Sequence, residues 1–290
     1  LVALARPNVG LLTNVGTAHI ENLGSQDEIA LEKGDLVAGL APDATAVLNA
    51  DDPRVLAQAS RTPARIVTFG QREPADVRAA NVRSLGDRGY AFDLVTAAGE
   101  IAVHVPGIGE TTVINALAAA AAALAAGAKL ADAAAGLARF RTVGGRMAQL
   151  RLRSGATVVD DTYNANPQSM AAALRSLVTL RGSGRGIAVL GDMAELGESA
   201  ESAHRATGRL VAELGLDWLF AVGRLAQLTA DGAIEAGMDA ARVRIGEDAG
   251  QASAEITKLV RARDWILVKG SRSSRMERVV EALAAEGTEC

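Results

Sequence analysis

The fold is decided by the stretch TVVDDTYNANPQSM, which runs from Thr157 to Met170. A short β-branched apolar run is followed by a polar loop, and the loop ends in an Asn-Pro pair. Asn166 is a favourable N-cap and Pro167 is a favourable first helical residue, so the pair predicts the start of a helix. A strand, a βα loop and a helix therefore follow one another. Helix-start chemistry does not explain the other polar side chains of the loop, which are Asp160, Asp161, Tyr163 and Asn164.

This strand-loop-helix pattern repeats to the end of the chain. The apolar runs GIAVLGD, WLFAVG, RVRIG and WILVKG alternate with helical segments that begin near Pro167, Ser199, Arg224, Ala249 and Arg275. The alternation predicts an α/β fold with a doubly wound, largely parallel sheet. Ligands of such sheets bind at the carboxyl ends of the strands. The polar clusters DDTYNAN, GDMAELGES and KGSRSS fall at those ends.

The first half of the chain predicts a separate α/β domain. LVALARPNVGLLTNVG is typical of a strand that ends in a polar loop, and a helix and the strand ATAVLNADD follow it. Residues 65–105 are β-rich, and two alanine-rich helices extend to about Phe140. The glycine pair of RTVGGR predicts a hinge. A chain of 290 residues favours two domains, which we place at 1–142 and 143–290 with a polar cleft between them.

Composition excludes several classes of function. A formal charge of -4 and a pI near 5.5 leave no basic face for general nucleic-acid binding. One cysteine, Cys290, permits neither an internal disulfide nor a Cys-based zinc site, and nothing resembles a signal peptide. The apolar stretch VINALAAAAAALAAGA is too short and too weakly hydrophobic to span a bilayer. We therefore expect a cytoplasmic protein without nucleic-acid partners or membrane insertion.

Lys33 has an unusual predicted position on its helix. The segment SQDEIALEKGDLVAGL opens with Ser25 and Glu28 at capping-box spacing, which fixes the helix register. In that register Lys33 falls in the middle of an apolar stripe, whose members are Ile29, Leu36, Val37 and Leu40. One interpretation is a snorkelling lysine whose ammonium reaches water. The other is a desolvated amine that is available for chemistry.

Other polar residues at strand ends leave alternatives open. His19 is a metal ligand, a catalytic base or a plain loop histidine, and NADDP is an ordinary turn sequence. Asp161 and Asp192 are either helix-start carboxylates or a shared cation or ribose site. A strand-end carboxylate lies near the surface, so we expect Asp161→Ala to affect chemistry more than folding. The loop residues Lys269, Ser271 and Arg272 suit a phosphate or a carboxylate.

Two common nucleotide motifs are missing from the sequence. No lysine follows a glycine, so the chain has no Walker A loop, and G-x-G-x-x-G does not occur at a strand-to-helix turn. Residue patterns alone therefore predict a two-domain α/β protein with polar strand ends, without naming its ligand.

The order of eight motifs resembles the Mur ligase family of peptidoglycan synthesis. They are TNVGTAHIENLGS, EKGDL, LNADDP, INALAAA, GGRM, DDTYNANPQSM, VLGDMAELGE and ILVKGSRSSRMERVV. The likeness covers nearly the whole chain, and DDTYNANP with KGSRS is similar to the branch that adds D-alanyl-D-alanine. The resemblance implies part of a central ATPase domain followed by a doubly wound, Rossmann-like C-terminal domain.

The resemblance also implies roles for particular residues. The nucleotide-binding candidates are Asn49, Asp51, Asp52, Asn115, Arg146 and Asp161. Of these, Asp161 matches a residue that helps to hold ATP and Arg146 one that reaches its phosphates. Lys33 matches a lysine that the family carries as a carbamate bridging to magnesium, and His19 matches a ligand of the second magnesium. These two are the catalytic and metal-binding candidates. The substrate-binding candidates are Tyr163, Asn164, Asn166, Asp192, Lys269, Ser271 and Arg272.

The implied reaction is ATP-dependent amide formation in the synthesis of peptidoglycan precursors, and hence in cell-wall growth and division. ATP phosphorylates the terminal carboxylate of UDP-N-acetylmuramoyl-tripeptide, the amine of D-alanyl-D-alanine attacks the acyl phosphate, and phosphate leaves. ATP and Mg²⁺ are the implied cofactors, since magnesium neutralises phosphate charge that would otherwise repel the carboxylate.

The family's P-loop, a magnesium-binding glutamate and the domain that grips the UDP sugar would precede Leu1. We therefore expect a fragment of a monomeric enzyme, inactive on its own. Thr111 stands where the family usually has a histidine. The alternatives are a non-catalytic α/β module that binds a nucleotide or a partner, and another relative such as a folylpolyglutamate synthetase.

Overall fold

The computed structural model describes residues 2–16, 21, 24–72 and 74–285. The chain divides into two compact units, Leu1–Arg141 and Thr142–Cys290, so the division falls inside the RTVGGR segment. Over the described residues, each unit contains a six-stranded sheet. The α/β class predicted from the alternation of apolar runs and helices is confirmed.

The sheet of the first unit combines a parallel half with an antiparallel half. Its strand order is β1-β2-β3-β4-β5-β6, with parallel pairs from β1 to β4 and antiparallel pairs from β4 to β6. The strands are β1 (Val9–Leu12), β2 (Thr45–Asn49), β3 (Arg65–Gly70), β4 (Val77–Ser84), β5 (Tyr90–Thr96) and β6 (Gly99–Val105). The described helices are α1 (Val2–Ala5), α2 (Gln26–Ala38), α3 (Pro53–Leu56), α4 (Thr112–Ala125) and α5 (Leu130–Ala138).

The alanine-rich helix α4 covers this sheet. Leu117 and Ala121 of α4 are fully buried in one apolar cluster with Val47, Phe69 and Leu94 from three strands. Alanine side chains are small, so the helix can approach the sheet closely while its apolar surface leaves water. Within the described part of the chain, no helix is long and apolar enough to cross a membrane.

The second unit contains the predicted doubly wound sheet. Its strand order is β11-β10-β9-β12-β8-β7, and every pair is parallel except β7 with β8. The strands are β7 (Ala148–Arg151), β8 (Thr157–Asp161), β9 (Gly186–Gly191), β10 (Trp218–Val222), β11 (Val243–Gly246) and β12 (Trp265–Lys269). The helices are α6 (Pro167–Arg181), α7 (Ala200–Glu213), α8 (Ala226–Glu235), α9 (Ala249–Leu259) and α10 (Glu277–Ala285).

The antiparallel edge strand β7 was not predicted from the sequence. Its residues AQLR carry neither a β-branched run nor a turn signal, and they are only partly buried. The strand exists because its backbone pairs with β8, from Ala148 opposite Asp160 to Arg151 opposite Thr157. Long-range pairing of this kind outweighs weak local propensity.

The helix that follows β8 begins as the sequence predicted. Asn166 is the N-cap of α6 and Pro167 is its first residue. The Asn166 side chain accepts from the Ser169 N–H at 2.9 Å, and the Ser169 hydroxyl accepts from the Asn166 N–H at 3.1 Å. This reciprocal capping satisfies two backbone donors and fixes where the β8 loop ends.

Candidate functional site

In the first unit, Asn49 fixes the loops at the strand ends. It is buried at the end of β2, where its side-chain N–H donates to the Thr13 carbonyl at 2.7 Å. Its side-chain oxygen accepts from the Asp51 N–H at 2.9 Å. The loop after β1 is therefore tied to the turn after β2.

The two aspartates of the same turn also bind backbone N–H groups. The Asp51 carboxylate accepts from Gln71 at 2.8 Å and from Arg72 at 3.2 Å, directly after β3. The Asp52 carboxylate caps α3 and accepts from the Val15 N–H at 2.8 Å. These side chains thus join three strand-end loops. Their contact with a nucleotide stays a prediction.

The side chain of Lys33 extends from the buried face of α2 to the surface. Its side chain is exposed, and Nζ donates to the Asn14 carbonyl at 3.0 Å. The buried residues of the helix are Ile29, Ala30, Gly34 and Val37. The interpretation of Lys33 as a desolvated amine is therefore wrong. At 3.6 residues per turn Lys33 falls between the buried Ile29 and Val37, and its side chain runs outward from that face, as in the snorkelling interpretation.

The remaining candidates of the first unit are His19 and Asn115. His19 lies outside the described residues. Asn115 is exposed in the first turn of α4, and Thr111 precedes that helix without a side-chain capping hydrogen bond. Among residues 2–16, 21, 24–72 and 74–285, no three His, Cys, Asp or Glu side chains converge as a metal site.

In the second unit, Asp160 fixes the glycine segment that precedes β7. One carboxylate oxygen accepts from the Gly145 N–H at 2.8 Å, and the other accepts from the Thr162 hydroxyl at 2.7 Å. Gly145 has φ +77°, and an added Cβ would lie 3.2 Å from the Tyr163 nitrogen. Glycine suits this position because side chains disfavour positive φ.

Arg146 and Tyr163 form a contact at the end of β8. The guanidinium carbon of Arg146 lies 4.0 Å from the centre of the Tyr163 ring, which is a cation–π contact. The Tyr163 N–H donates to the Gly145 carbonyl at 3.0 Å, and this bond holds the two segments together. Both side chains are exposed. A predicted phosphate-binding residue therefore rests on a predicted substrate-binding residue.

The sequence predicts that Lys269 faces a ligand from an open loop, whereas the structure buries its side chain. Its side chain is only 3% exposed, and Nζ donates to the Asp161 carboxylate at 2.6 Å and to the Asn164 carbonyl at 2.9 Å. A lysine is rarely buried unless its charge is paired, and here the partner is the strand-end aspartate. The predicted contact between Lys269 and a substrate is therefore replaced by an internal ion pair.

Ser271 and Arg272 face different surroundings. Ser271 is 2% exposed, and its hydroxyl bonds to the hydroxyls of Ser273 and Ser274. Arg272 is exposed, with its guanidinium 3.8 Å from the Glu277 carboxylate. Of the three predicted residues of this loop, only Arg272 reaches outward.

Asp192 fixes the turn after β10. Its carboxylate accepts from the Arg224 N–H at 2.9 Å and from the Leu225 N–H at 3.1 Å. Strand β12 lies between β9 and β8, and Lys269 at its end binds Asp161. Strand order therefore separates Asp161 from Asp192, and each carboxylate has its own donors, so the structure does not bring them together as one cation or ribose site.

The imidazole of His204 supports the loop that carries Asp192, and the ring is neutral. The Met193 N–H donates to its Nε2 at 3.0 Å, so this nitrogen is an acceptor. The proton is therefore on Nδ1, which lies 2.7 Å from the Ala200 carbonyl. The Nε2 atom is also 3.8 Å from the Asp192 carboxylate, but a neutral ring forms no ion pair there.

A pocket of about 320 Å³ lies beside Asp192, at the carboxyl ends of β9, β10 and β11. Three exposed arginines line it, namely Arg224, Arg275 and Arg278. Residue-pattern reasoning did not assign these arginines to a site. Their signal was present, since Arg224 directly follows WLFAVG and the other two follow KGSRSS.

The fold and the candidate site define a two-unit α/β protein whose polar residues gather at the ends of its strands. The Mur ligase middle domain matches residues 1–123, and the Mur ligase glutamate ligase domain matches residues 145–272. The chain belongs to the Mur ligase family. The resemblance seen in the sequence is confirmed.

Two relatives of known name show which members of the Mur ligase family this chain is similar to. The UDP-N-acetylmuramoyl-tripeptide--D-alanyl-D-alanine ligase of Escherichia coli (strain K12) is 36% identical over 99% of this chain and 62% of its own length. The enzyme of the same name from Mycobacterium bovis is also 36% identical, over 99% of this chain and 60% of its own. The chain therefore spans about 60% of the length of these relatives.

Solved structures agree with the sequence relatives. A crystal structure of MurF from Acinetobacter baumannii superposes with a TM-score of 0.86 at 31% identity, over 97% of this chain and 60% of its own. The MurF ligase of Thermotoga maritima in complex with ADP gives 0.83 at 25% identity, over 98% of this chain and 63% of its own.

Proposed function

We propose that the chain supplies the middle and C-terminal domains of an ATP-dependent ligase that adds D-alanyl-D-alanine to UDP-N-acetylmuramoyl-tripeptide. The observation that carries this proposal is the 36% identity, over 99% of the chain, to relatives named for that reaction. The proposal places the protein in the cytoplasm as a monomer that takes part in peptidoglycan synthesis.

The proposed chemistry is acyl activation followed by amide formation. The terminal carboxylate of the tripeptide attacks the γ-phosphorus of ATP, ADP leaves, and an acyl phosphate forms. The neutral amine of D-alanyl-D-alanine then adds to the acyl carbon and loses a proton, and the tetrahedral intermediate expels phosphate. Both steps gain from cationic groups that stabilise the developing negative charge.

Each unit carries its own candidate ATP-binding residues in this proposal. Asp161 and the exposed Arg146 act at the end of β8, where the Tyr163 ring orients the guanidinium. Arginine suits this role because its N–H donors match phosphate oxygens in pairs. In the first unit, the turn of Asn49, Asp51 and Asp52 and the exposed Asn115 complete the set.

The magnesium ions of this proposal rest on the family resemblance. Lys33 fits a metal-ligand role only if its amine carries a carbamate. The two oxygens of that carbamate would be ligands of the kind that magnesium prefers. The Lys33 side chain is exposed, with Nζ at 3.0 Å from the Asn14 carbonyl. We assign no step of the reaction to the metal.

The pocket beside Asp192 suits the second substrate. Its lining combines three arginines with the carboxylates of Asp192, Glu247 and Asp248, so both charges of a small zwitterion can find a partner, and 320 Å³ falls within the usual range for small-ligand pockets. We assign this pocket to D-alanyl-D-alanine, whose terminal carboxylate would face Arg224, Arg275 and Arg278.

The test is phosphate release from ATP by the intact protein. Release should require both UDP-N-acetylmuramoyl-tripeptide and D-alanyl-D-alanine, and L-alanyl-L-alanine should not replace the D-dipeptide. The amide product should form in a one-to-one ratio with phosphate. ATP binding without turnover in the presence of both substrates would favour the alternative, a non-catalytic nucleotide-binding module.

A further inference from the structure

Lys269 is a buried cation at the end of the strand that pairs with β8. The parallel register of β12 and β8 places Lys269 directly beside Asp161. The lysine residue is 2% exposed, whereas the Asp161 side chain is 16% exposed and keeps an edge toward solvent. The pair therefore has one buried member and one member that is still accessible.

The ammonium of Lys269 binds two points of one short segment. It donates to the Asp161 carboxylate at 2.6 Å and to the Asn164 carbonyl at 2.9 Å, three residues later in the β8 loop. The second carboxylate oxygen of Asp161 accepts from the Met147 N–H at 3.2 Å. Tyr163, which holds Arg146, lies between the two points that Lys269 binds. One buried side chain thus fixes both the carboxylate and the curvature of its loop.

We propose that Lys269 is a positioning residue for the ATP site, acting through Asp161 and the loop of residues 161–164. This inference rests on the proposed function, in which Asp161 and Arg146 contact ATP. Lys269 itself does not touch the nucleotide. Burial keeps its charge away from water, so its hydrogen bonds to Asp161 and Asn164 have no solvent competitor and permit one arrangement of the loop.

A second ion pair, between residues that directly precede β9 and β12, provides a matched control. Arg185 donates to the Asp264 carboxylate at 2.8 and 2.5 Å, and Asp264 is 2% exposed. Asp264 directly precedes Trp265, which is the first residue of β12, whereas Lys269 is the last residue of β12. Both pairs are partly buried in the same sheet, but the Arg185 pair lies at the opposite end of β12 from the β8 loop.

The experiment compares Lys269→Met, Lys269→Arg and Arg185→Met in the intact protein. Thermal midpoints, kcat, and KM for ATP and for D-alanyl-D-alanine are measured for each variant. Displacing a binding group by about 1 Å is enough to lower a rate roughly a hundredfold. We expect Lys269→Met to raise the KM for ATP or lower kcat by at least about tenfold, with a change in the KM for D-alanyl-D-alanine below about threefold. Arg185→Met should lose stability with both KM values retained.

Lys269→Arg keeps the test valid if Lys269→Met does not fold. Arginine preserves the charge but not the shape of the ammonium, so the variant should fold and still bind ATP more weakly than the parent. Asp161→Asn and the double variant Asp161→Asn/Lys269→Met add a coupling measurement. If Lys269 acts through Asp161, the double variant should bind ATP no more weakly than Asp161→Asn alone.

Two results would overturn the inference. One is a Lys269→Met or Lys269→Arg variant with parental kcat and KM for ATP. The other is that Arg185→Met loses as much ATP binding as Lys269→Met when the two variants lose the same amount of stability. A parent protein without D-alanyl-D-alanine-dependent phosphate release would instead contradict the proposed function, so the two failures are distinguishable.

Discussion

The guanidinium of Arg146 lies over the ring of Tyr163, at 4.0 Å from its centre. The contact joins the glycine segment before β7 to the loop after β8. It brings together a residue predicted to bind phosphate and one predicted to bind substrate. Because the ring is half exposed, the pair is available to a ligand, and removing the ring should disturb the orientation of Arg146 with little effect on the core.

Tyr163→Ala should weaken ATP binding in the intact protein. An exposed cation–π contact contributes roughly 0.5–1 kcal/mol, so we expect the KM for ATP to rise about two- to fivefold. Tyr163→Phe keeps the ring and is the matched control, with a KM for ATP close to that of the parent. Steady-state kinetics at saturating D-alanyl-D-alanine measure the difference. Equal values for the two variants would show that the ring does not orient Arg146.

Asp161→Asn should lower both the rate and the stability. The expectation from the sequence was a small effect on stability, because a strand-end carboxylate lies near the surface. The structure pairs Asp161 with the buried Lys269, so its removal leaves an uncompensated buried charge. Breaking such a pair lowers the free energy of unfolding by about 3–5 kcal/mol, and urea denaturation measures it. An unchanged denaturation midpoint would contradict the buried ion pair.

Gly223→Ala should disturb the turn that Asp192 fixes. Gly223 has φ +113°, and an added Cβ would lie 2.5 Å from an Asp192 carboxylate oxygen. Gly237→Ala is the control, because Gly237 has φ +96° and no atom within 4 Å of the added Cβ. Both variants share the backbone strain, so their difference isolates the contact with Asp192. We expect Gly223→Ala to lower the free energy of unfolding by about 1–3 kcal/mol more than Gly237→Ala does, because overpacking carries that penalty.

Lys33→Ala should abolish activity of the intact protein without unfolding it, because the Lys33 side chain is exposed. The expected cause is loss of the carbamate that the family resemblance implies. Short carboxylic acids should restore part of the activity by occupying the vacated anionic site. Lys258→Ala, at another exposed helical lysine, is the control and should keep full activity. Near-parental activity of Lys33→Ala at saturating substrates would exclude a catalytic carbamate.

Arg224→Ala should raise the KM for D-alanyl-D-alanine. Arg224 is exposed, and an exposed ion pair contributes about 0.2–1 kcal/mol, so we expect an increase of up to about fivefold. Arg209→Ala, at an exposed arginine outside the pocket, is the control. An increase in the KM for ATP instead of the dipeptide would reassign the pocket to the nucleotide.

The sequence by itself determined the α/β class, the five parallel strands of the doubly wound sheet and the start of α6. These features depend on local chemistry, such as β-branched runs and the capping of a helix by Asn166 ahead of Pro167. The family also followed from the sequence, because its motifs retain their order along the chain. The candidate site could be predicted as a set of strand-end residues.

Only the tertiary structure decided which of these residues face one another. Strand order placed β12 between β8 and β9, which joined Lys269 to Asp161 and separated Asp161 from Asp192. The course of the Lys33 side chain, from the apolar face of α2 to the Asn14 carbonyl, also depends on a residue that is distant along the chain. Partners distant along the chain leave no local pattern in the sequence. The burial of a charged group depends on such partners, because an ion leaves water only where an opposite charge meets it.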